Sequence, residues 1–450
     1  MGRFKNQVIK SWGRHYRGRL HSILHTVSVG AIGLYVLSTA HAQGAERDSI
    51  LAEFNSFTGV GQISDSIQVF KVQRKKLYPI NGSERMIGGA FQPSTVMDGS
   101  GRIHIFFQAR LDSSEDWAEK MTAHVVSEDA GRTFSEPTYL YPKPLQNYAM
   151  SPFLRTSESG GERISVLTCV SLDETLERYE SPEATESALG IDISALNRKA
   201  GSIILEFFSD DGGMTWERKE HRQIVDRVYR RSGRDFYLAF MNLIGQVRRI
   251  DEGPYAGRLI LAGPIRGDYL PCDDHPKFRD YSASSAIIYS DDNGESWQLG
   301  GLINDATAFD HNEASAVSVN NGQQILMVRR SIARDAPGKI LHYSNDGGES
   351  WEEGFISTID ATRCMQVLDT YEDLIMCSSP EKDSRTRGQI YYSRDAGKTW
   401  ANKQIVEKMF SYSTVNHLIG PYFICAWSQA YHGEFGIAAR IFSVEWLDSP

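Results

Sequence analysis

The side chains that most often bind metal ions or act as nucleophiles are scattered along the chain. The histidines are isolated, as at His275, His311, His417 and His432, and neither an H-E-x-x-H motif nor another metal-ligand cluster occurs. The five cysteines include no C-x-x-C pair, and their odd number leaves at least one thiol unpaired. The sequence therefore predicts neither a catalytic metal nor a cofactor.

An eight-residue pattern with a central aspartate recurs five times. Its form is S-x-D-x-G-x-[ST]-[FW], and the copies occupy residues 127–134, 209–216, 290–297, 344–351 and 393–400. The aspartate can accept backbone N–H hydrogen bonds inside a turn, the glycine can adopt a positive φ, and the final aromatic ring can anchor the turn in an apolar layer. Each copy is therefore predicted to form the turn of a β-hairpin.

Strand-forming residues precede these turns, as in I-L-E-F-F before the second copy and Q-I-Y-Y before the fifth. Successive copies begin 82, 81, 54 and 49 residues apart. The last two intervals are typical of one four-stranded propeller blade, and the first two accommodate an additional half-blade or an insertion. The acidic segment 173–199 is the predicted insertion, a surface excursion with a short helix.

These repeats are Asp boxes, and their number and spacing resemble the sialidase (neuraminidase) superfamily. The resemblance extends from about Phe91 to Leu447. It implies an all-β chain folded as a six-bladed β-propeller with Asp-box hairpins. Asp boxes are structural and also occur in propellers without catalytic activity, so the function has to be inferred from residues between them.

In the second half of the chain, several motifs resemble segments that carry active-site residues in sialidases. N-E-A-S-A-V and Q-I-L-M-V-R align Glu313 and Arg329 with a glutamate and, one strand later, an arginine of the central site. S-R-T-R-G-Q-I-Y-Y-S aligns Arg385 with a further arginine that precedes an Asp box, and Arg387 is the alternative. F-S-Y-S-T resembles the motif of the catalytic tyrosine, which makes Tyr412 the candidate nucleophile.

In the first half, G-R-I-H-I-F-F-Q-A-R resembles the strand that ends in an active-site arginine, here Arg110. The acid/base aspartate of the family follows on the next loop, where Asp116 fits the spacing and Asp112 and Glu115 are alternatives. At the other end of the chain, residues 435–447 resemble the family's closing strand, which is expected to pair with the first blade.

The resemblance implies a role for each of these residue types. A sialoside carries a carboxylate at its anomeric carbon, and the arginines can bind that anion through planar, charge-assisted hydrogen bonds. A neutral phenol meets less repulsion from the carboxylate than a second carboxylate does, so Tyr412 would attack with Glu313 as its base. Asp116 would protonate the leaving oxygen and later deprotonate water, which implies hydrolysis with retention.

The first blade departs from the family pattern. Sialidases usually have an arginine two residues before a proline here, whereas this chain has Phe91 and then Gln92. Arg85 is a candidate substitute only if a displaced loop brings it inward. The loss of one guanidinium from a desolvated anion site weakens binding by about 2–5 kcal/mol. The activity is therefore expected to be weaker than in typical sialidases, absent, or directed at another sugar.

The amino terminus has the features of a secretory signal. A basic stretch precedes the apolar run 27–37, which is short for a membrane span, and an A-x-A pattern ends at Ala42. Cleavage near Ala42 and a secreted or periplasmic location are predicted, with an uncleaved anchor as the alternative. The predicted organisation is a signal peptide at 1–42, a lead-in segment at 43–84 and the propeller at 85–450.

The charge balance bears on the partners. With 48 basic and 57 acidic side chains the net charge is −9, which disfavours a nucleic-acid partner, and no later segment is predicted to span a membrane. The leading functional hypothesis is a retaining exo-α-sialidase that acts on glycans with a terminal acidic sugar. The alternatives are a glycosidase for another sugar and a non-catalytic propeller that binds glycans or proteins.

Overall fold

β-Strands make up most of the computed structural model. It describes residues 44–73, 76–80, 83–116, 118–142, 144, 147–171, 202–221, 228–231, 234–237, 239–240, 245–266, 283–303, 311–331, 338–361, 364–381, 385–407, 409–431 and 434–450. Residues 53–450 form one compact unit, and residues 1–52 form another, of which the described part is helical. The predicted signal peptide and the predicted helix within 173–199 lie outside the described residues.

The described strands form the six blades of a β-propeller, as the sequence predicted. The first blade contains β2 (Leu77–Ile80), β3 (Ser83–Met97), β4 (Ile103–Leu111), β5 (Lys120–Ser127) and β6 (Thr138–Tyr139). The second contains β7 (Asn147–Thr156), β8 (Glu162–Ser171), β9 (Ser202–Ser209) and β10 (Glu217–His221), and the hairpin β11 (Val228–Arg231) and β12 (Arg234–Tyr237) follows it. The third contains β13 (Ala239–Phe240), β14 (Arg248–Arg249), β15 (Leu259–Arg266), β16 (Ala283–Ser290) and β17 (Gln298–Leu299).

The remaining blades have four strands each. The fourth contains β18 (His311–Val319), β19 (Gln324–Ser331), β20 (Ile340–Ser344) and β21 (Phe355–Ile356). The fifth contains β22 (Leu368–Tyr371), β23 (Leu374–Pro380), β24 (Gly388–Ser393) and β25 (Ala401–Val406). The sixth contains β26 (Ser413–Ile419), β27 (Tyr422–Tyr431), β28 (Glu434–Ser443) and the amino-terminal strand β1 (Ile67–Lys71), and a short helix, Val444–Asp448, ends the chain.

The two ends of the propeller chain close the ring within the sixth blade. β28 pairs antiparallel with β27 on one side and with β1 on the other, with Ile67 opposite Ala439. The expectation that the closing strand pairs with the first blade is therefore wrong, because its partner belongs to the lead-in segment. The lead-in also supplies β2, so part of 43–84 is built into the propeller sheets. Backbone hydrogen bonds between β1 and β28 join the first and last strands.

Each Asp box connects the last two strands of its blade along the chain. In the third blade, the Ser290 hydroxyl donates to Asp292 Oδ1 at 2.7 Å, and Asp292 Oδ1 accepts the Ser296 backbone N–H at 2.8 Å. Gly294 has φ of 88°. The Trp297 ring is 1 % exposed and packs edge-on against Phe153 of the second blade. The predicted turn chemistry and aromatic anchor are confirmed, and the anchor joins neighbouring blades.

The apolar core lies between blades, and polar side chains join the inner strands at the axis. Thr95 of the first blade and Gln246 of the third are both hydrogen-bonded to Asn416 of the sixth. The Arg248 guanidinium donates to the Leu368 carbonyl at 2.7 and 2.9 Å and lies 3.4 Å from Asp369. We call Thr95, Gln246, Arg248, Asp369 and Asn416 the axial network. It ties together strands that are far apart in the sequence.

Candidate active site

The candidate site lies at the end of the propeller where the inner strands begin. Tyr412 immediately precedes β26, Glu313 is near the start of β18, and Arg110 is near the end of β4. In an antiparallel blade counted from its long inner strand, which is β3 in the first blade, the first strand starts and the second strand ends at the same edge, whereas the third ends at the opposite edge. The topology therefore gathers these residues from three blades on the face opposite the Asp boxes.

Tyr412 is the centre of this group. It packs against Met365 and Val367 of the fifth blade. Nη1 of Arg385 donates to the Ser411 hydroxyl at 3.3 Å, and the Arg385 Cζ lies 5.0 Å from the centroid of the Tyr412 ring. Burial raises the pKa of the Tyr412 phenol well above its usual value, and the negative charge of Glu313 raises that pKa further. The phenol is therefore neutral at physiological pH, and it needs a base to become a nucleophile.

Glu313 is buried beside Tyr412 and is paired with an arginine. Its side chain is 5 % exposed, and Oε2 lies 2.9 Å from Nη1 of Arg330. Burial lowers the pKa of Arg330, but Glu313 and Tyr412 raise it by more. Glu313 and Arg330 thus form an ion pair next to the phenol, with the arginine side chain 16 % exposed. Arg330 was missed by the sequence reasoning.

Arg329, the residue predicted from the sequence, lies apart from this group. It is fully buried, and its Nε donates to Nε2 of His342 at 2.8 Å. Adjacent residues of a strand point to opposite faces. On β19, Met327 packs in the cluster between the third and fourth blades and Val328 packs in the one between the fourth and fifth. Arg329 shares the face of Met327, which is why Arg330 meets Glu313 instead.

Arg110 and Asp116 meet at the rim of the first blade. Asp116 Oδ1 lies 2.7 Å from Nη2 of Arg110, and Nη1 of Arg110 donates to the Ser114 carbonyl at 2.7 Å. The Asp116 side chain is 86 % exposed, whereas that of Arg110 is 5 % exposed. Burial lowers the pKa of Arg110, and Asp116 and Tyr412 oppose that change. Arg110 therefore links the exposed carboxylate to the phenol.

Phe91 forms the floor beneath Arg110. The Arg110 Cζ lies 3.9 Å from the centroid of the Phe91 ring, which also packs against Phe435. An aromatic face attracts a guanidinium, so Phe91 supports Arg110 where sialidases usually have a further arginine. Close backbone approach also shapes this wall: a Cβ added at Gly88 would lie 2.4 Å from the carbonyl carbon of Ser113.

The alternative residues are engaged elsewhere. Arg85 lies 2.8 Å from Glu119 and donates from Nε to Asp112 at 2.6 Å, so two carboxylates hold its guanidinium. Arg387 is paired with Glu381, and its side chain is 53 % exposed. Glu115 raises the pKa of Arg110 by less than Asp116 and Tyr412 do. Trp117, beside Asp116, lies outside the described residues.

A buried lysine behind Glu313 was also missed by the sequence reasoning. Lys339 is 2 % exposed, and its Nζ donates to the Cys364 carbonyl at 3.0 Å. Burial lowers the pKa of Lys339 to about 8, although Cys364 and Glu313 raise it. The Cys364 thiol is buried, which raises its pKa. Nothing in the local sequence marks Lys339, because its neighbours come from other strands.

The described parts of the chain contain no group of three or more His, Cys, Asp or Glu side chains arranged to hold a metal ion. Their four cysteines, Cys169, Cys364, Cys377 and Cys425, are buried, and Cys272 lies outside the described residues. None of the described helices combines the length and the apolar character that crossing a bilayer requires.

Comparison with known proteins identifies the family. A model described as "BNR repeat-like domain" matches residues 192–425, just over half of the chain. A sialidase of Micromonospora viridifaciens is 28 % identical over 253 residues, which are 53 % of this chain and 35 % of that protein. The match to this curated relative thus spans about a third of the relative's length.

Solved structures show the same fold at low sequence identity. A Trypanosoma rangeli sialidase superposes with a TM-score of 0.58 and 14 % identity, covering 84 % of this chain and 58 % of that one. An α-L-arabinanase of Penicillium chrysogenum superposes with a TM-score of 0.50 and 14 % identity, covering 86 % of this chain and 99 % of that one. The family match, the blade topology and the related sequence agree: the chain belongs to the BNR repeat-like domain family and is a sialidase-like β-propeller.

Proposed function

We propose that the mature chain is an exported, retaining exo-α-sialidase that removes terminal sialic acid, or a related nonulosonic acid, from glycoconjugates. One observation carries the proposal: the Tyr412 phenol is close enough to the Glu313 carboxylate for that charge to raise its pKa, and the Arg385 Cζ lies 5.0 Å from the centroid of its ring. A partly buried neutral phenol next to a carboxylate is the arrangement that an activated tyrosine nucleophile requires. The homology to sialidases supports the same assignment.

The substrate carboxylate would bind to guanidinium groups near the phenol. Arg330 and Arg385 each lie close enough to Tyr412 for the phenol to raise their pKa. Arg110 is also close enough to Tyr412 for the phenol to raise its pKa, and its guanidinium is stacked on the Phe91 ring. We therefore assign carboxylate binding to Arg110, Arg330 and Arg385, with Arg330 in place of the predicted Arg329.

The chemical steps follow from these positions. Tyr412 Oη attacks the anomeric carbon while Glu313 accepts the phenolic proton and Asp116 donates a proton to the departing glycosidic oxygen. The glycosidic C–O bond breaks, and a covalent bond between the sugar and Tyr412 forms. Asp116 then removes a proton from water, the water oxygen displaces Tyr412, and Glu313 returns a proton to the phenol. Two inversions give net retention.

A second candidate is a glycosidase for another sugar. Phe91 replaces the arginine that sialidases usually have at this position, and the fold is shared with an arabinanase. Because the site then has one cation fewer, its affinity for an anionic sugar falls relative to its affinity for a neutral sugar. A non-catalytic propeller that binds glycans is the third reading, and it predicts binding without turnover.

The test uses the chain from Gln43 onward with 4-methylumbelliferyl α-N-acetylneuraminide. We expect fluorophore release, with kcat lowered about 10³-fold or more in Tyr412→Phe because the nucleophile is lost. Tyr343→Phe is the matched control, since Tyr343 donates its hydroxyl to the Ala396 carbonyl far from the site. The control should retain kcat within about twofold.

Other outcomes separate the candidates. Binding of sialyllactose without hydrolysis would favour a lectin-like propeller. Hydrolysis of a 4-nitrophenyl α-L-arabinofuranoside, with no action on the sialoside, would favour the retargeted enzyme. NMR of the first sugar released shows whether the anomeric configuration is retained, and an inverted product would overturn the mechanism. Export is tested by sequencing the amino terminus of the protein recovered outside the cytoplasm, which should begin near Gln43.

A further inference from the structure

Gln92 occupies a costly backbone conformation beside the candidate site. Its φ is 53°, in the left-handed region that residues with a Cβ seldom adopt. It lies where the pairing of β3 with β4 shifts register, between Phe91 and Ser94. Backbone strain of this kind persists only where the surrounding structure holds it, and it occurs frequently at ligand-binding sites.

The side chain of Gln92 carries a second cost. The residue is 7 % exposed, and its amide oxygen Oε1 is buried without a hydrogen-bond partner. Most buried polar atoms in folded proteins are paired, because an unpaired one has lost its water and gained nothing. A lone acceptor such as this needs an O–H or N–H group from outside the chain.

Gln92 is connected to the proposed nucleophile. Its backbone N–H donates to the Ser428 hydroxyl at 3.0 Å, and the Ser428 backbone N–H donates to the Tyr412 carbonyl at 2.9 Å. Gln92 also directly follows Phe91 in the sequence, and the Arg110 guanidinium is stacked on the Phe91 ring. Gln92 is therefore held between the Tyr412 backbone and the floor under Arg110.

We propose that Gln92 is a substrate-binding residue whose amide oxygen accepts a hydrogen bond from a hydroxyl or N-acyl N–H group of the sugar. This inference rests on the proposed function. The terminal torsion of a glutamine is soft, so the amide can reorient when a ligand binds beside Arg110. The substrate class is thus an acidic sugar that carries a hydrogen-bond donor near the carboxylate site.

The test compares Gln92→Met with the wild type in two measurements. Methionine keeps the unbranched shape and removes the unpaired acceptor, so the melting temperature of the ligand-free protein should rise. For 4-methylumbelliferyl α-N-acetylneuraminide, KM should increase about tenfold, since a site that bonds a polar substrate group loses that bond. The control is Gln68→Met: the Gln68 amide donates to the Phe70 and Ile437 carbonyls, so its removal should lower the melting temperature and leave KM unchanged.

A second substrate identifies the donor. If Oε1 accepts from the N-acyl N–H, the increase in KM is larger for the N-acetylneuraminide than for the analogue with a hydroxyl at that carbon. Equal increases point to a sugar hydroxyl. A lower melting temperature for Gln92→Met, or an unchanged KM with both substrates, would overturn the proposal.

These outcomes are distinct from failure of the proposed function. If the wild type neither hydrolyses nor binds the sialosides, the enzyme assignment fails. The difference in melting temperature between Gln92→Met and the wild type still tests whether the Gln92 amide oxygen lacks a partner. A rise in Gln92→Met then supports a ligand contact for a different sugar, to be measured with the arabinofuranoside. A fall shows that Gln92 already has a structural partner, such as a resident water, and the inference is rejected.

Discussion

Two adjacent arginines of the fourth blade have different surroundings. Arg330 is paired with Glu313 at 2.9 Å, next to Tyr412, whereas Arg329 donates to His342 in the layer between blades. Arg329 is fully buried, and the Arg330 side chain is 16 % exposed. What separates them is the face of β19 on which each side chain lies.

This difference predicts different results for two equivalent substitutions. Arg330→Met should lower kcat/KM at least about 10²-fold, because it removes a charge that contacts the base and, by our proposal, the substrate. Arg329→Met should change the unfolding free energy by about 1–3 kcal/mol and leave kcat/KM within about threefold. Sialoside kinetics and urea unfolding of both variants check this. An equal kinetic loss in Arg329→Met would contradict the assignment of Arg330.

The pKa of Lys339 makes a prediction about pH. Its folded-state pKa of about 8 lies below the ordinary 10.5, because burial disfavours the charged form. The unfolded chain therefore binds more protons between pH 8 and 10.5, and folding stability should increase across that range. The measurement is urea unfolding of the wild type and of Lys339→Met at pH 7.5 and at pH 10.5. Between these two pH values, the unfolding free energy of the wild type should increase by about 3 kcal/mol relative to that of Lys339→Met.

The exposed lysine Lys398 supplies the control for this experiment. The wild type should not gain stability relative to Lys398→Met over the same pH range, because the Lys398 side chain is exposed and keeps its hydration when the chain folds. If the gap between wild type and Lys339→Met stays constant with pH, the lysine is not desolvated and the prediction fails.

At the scale of the element, the Asp box is a self-contained turn. In the first blade, Asp129 Oδ1 accepts from the Thr133 backbone N–H and the Ser127 hydroxyl, and Oδ2 accepts from the Thr133 hydroxyl. Burial raises the pKa of Asp129, but these hydrogen bonds lower it by more. The ionised carboxylate therefore stabilises the turn.

Removal of this carboxylate should destabilise the propeller in a pH-dependent way. Asp129→Ala should lower the unfolding free energy by about 1–3 kcal/mol at pH 7. A lowered folded pKa means that this contribution is complete above pH 3.8 and disappears as the pH falls through the folded value. Glu128→Ala, which removes an exposed neighbour in the same box, should have little effect. If thermal unfolding shows that both variants lose the same amount of unfolding free energy, the stabilising role of the Asp129 carboxylate is refuted.

At the scale of the whole molecule, the axial network holds the blades together. Arg248 reaches from the third blade to the Leu368 carbonyl and Asp369 of the fifth. Asp369 in turn accepts the His417 backbone N–H of the sixth. Because the strands involved are distant in sequence, these contacts form only when the ring is assembled.

Loss of Arg248 should therefore weaken the entire fold. Arg248→Met leaves the buried Asp369 carboxylate without its cation, which typically costs about 3–5 kcal/mol. Its neighbour Arg249 is exposed and donates to Asn293 of the third blade, so Arg249→Met should cost less than about 1 kcal/mol. Urea unfolding of the two variants is the measurement. If Arg248→Met is no less stable than Arg249→Met, the network does not stabilise the ring.

The sequence by itself determined the local features of this protein. The Asp boxes could be read directly because serine, aspartate, glycine and the aromatic ring interact within eight residues, and their spacing predicted the blades. The family motifs also pointed to Tyr412, Glu313, Arg110 and Arg385, which the structure brings together around the phenol.

Only the tertiary structure decided the features that depend on strands distant in sequence. It turned Arg330 and not Arg329 toward Glu313, brought Lys339 behind that carboxylate, and paired the closing strand with β1. The physical reason is that strand register and blade packing determine which face each side chain occupies. A shift of one residue along a strand exchanges the two faces, and no short motif encodes that choice.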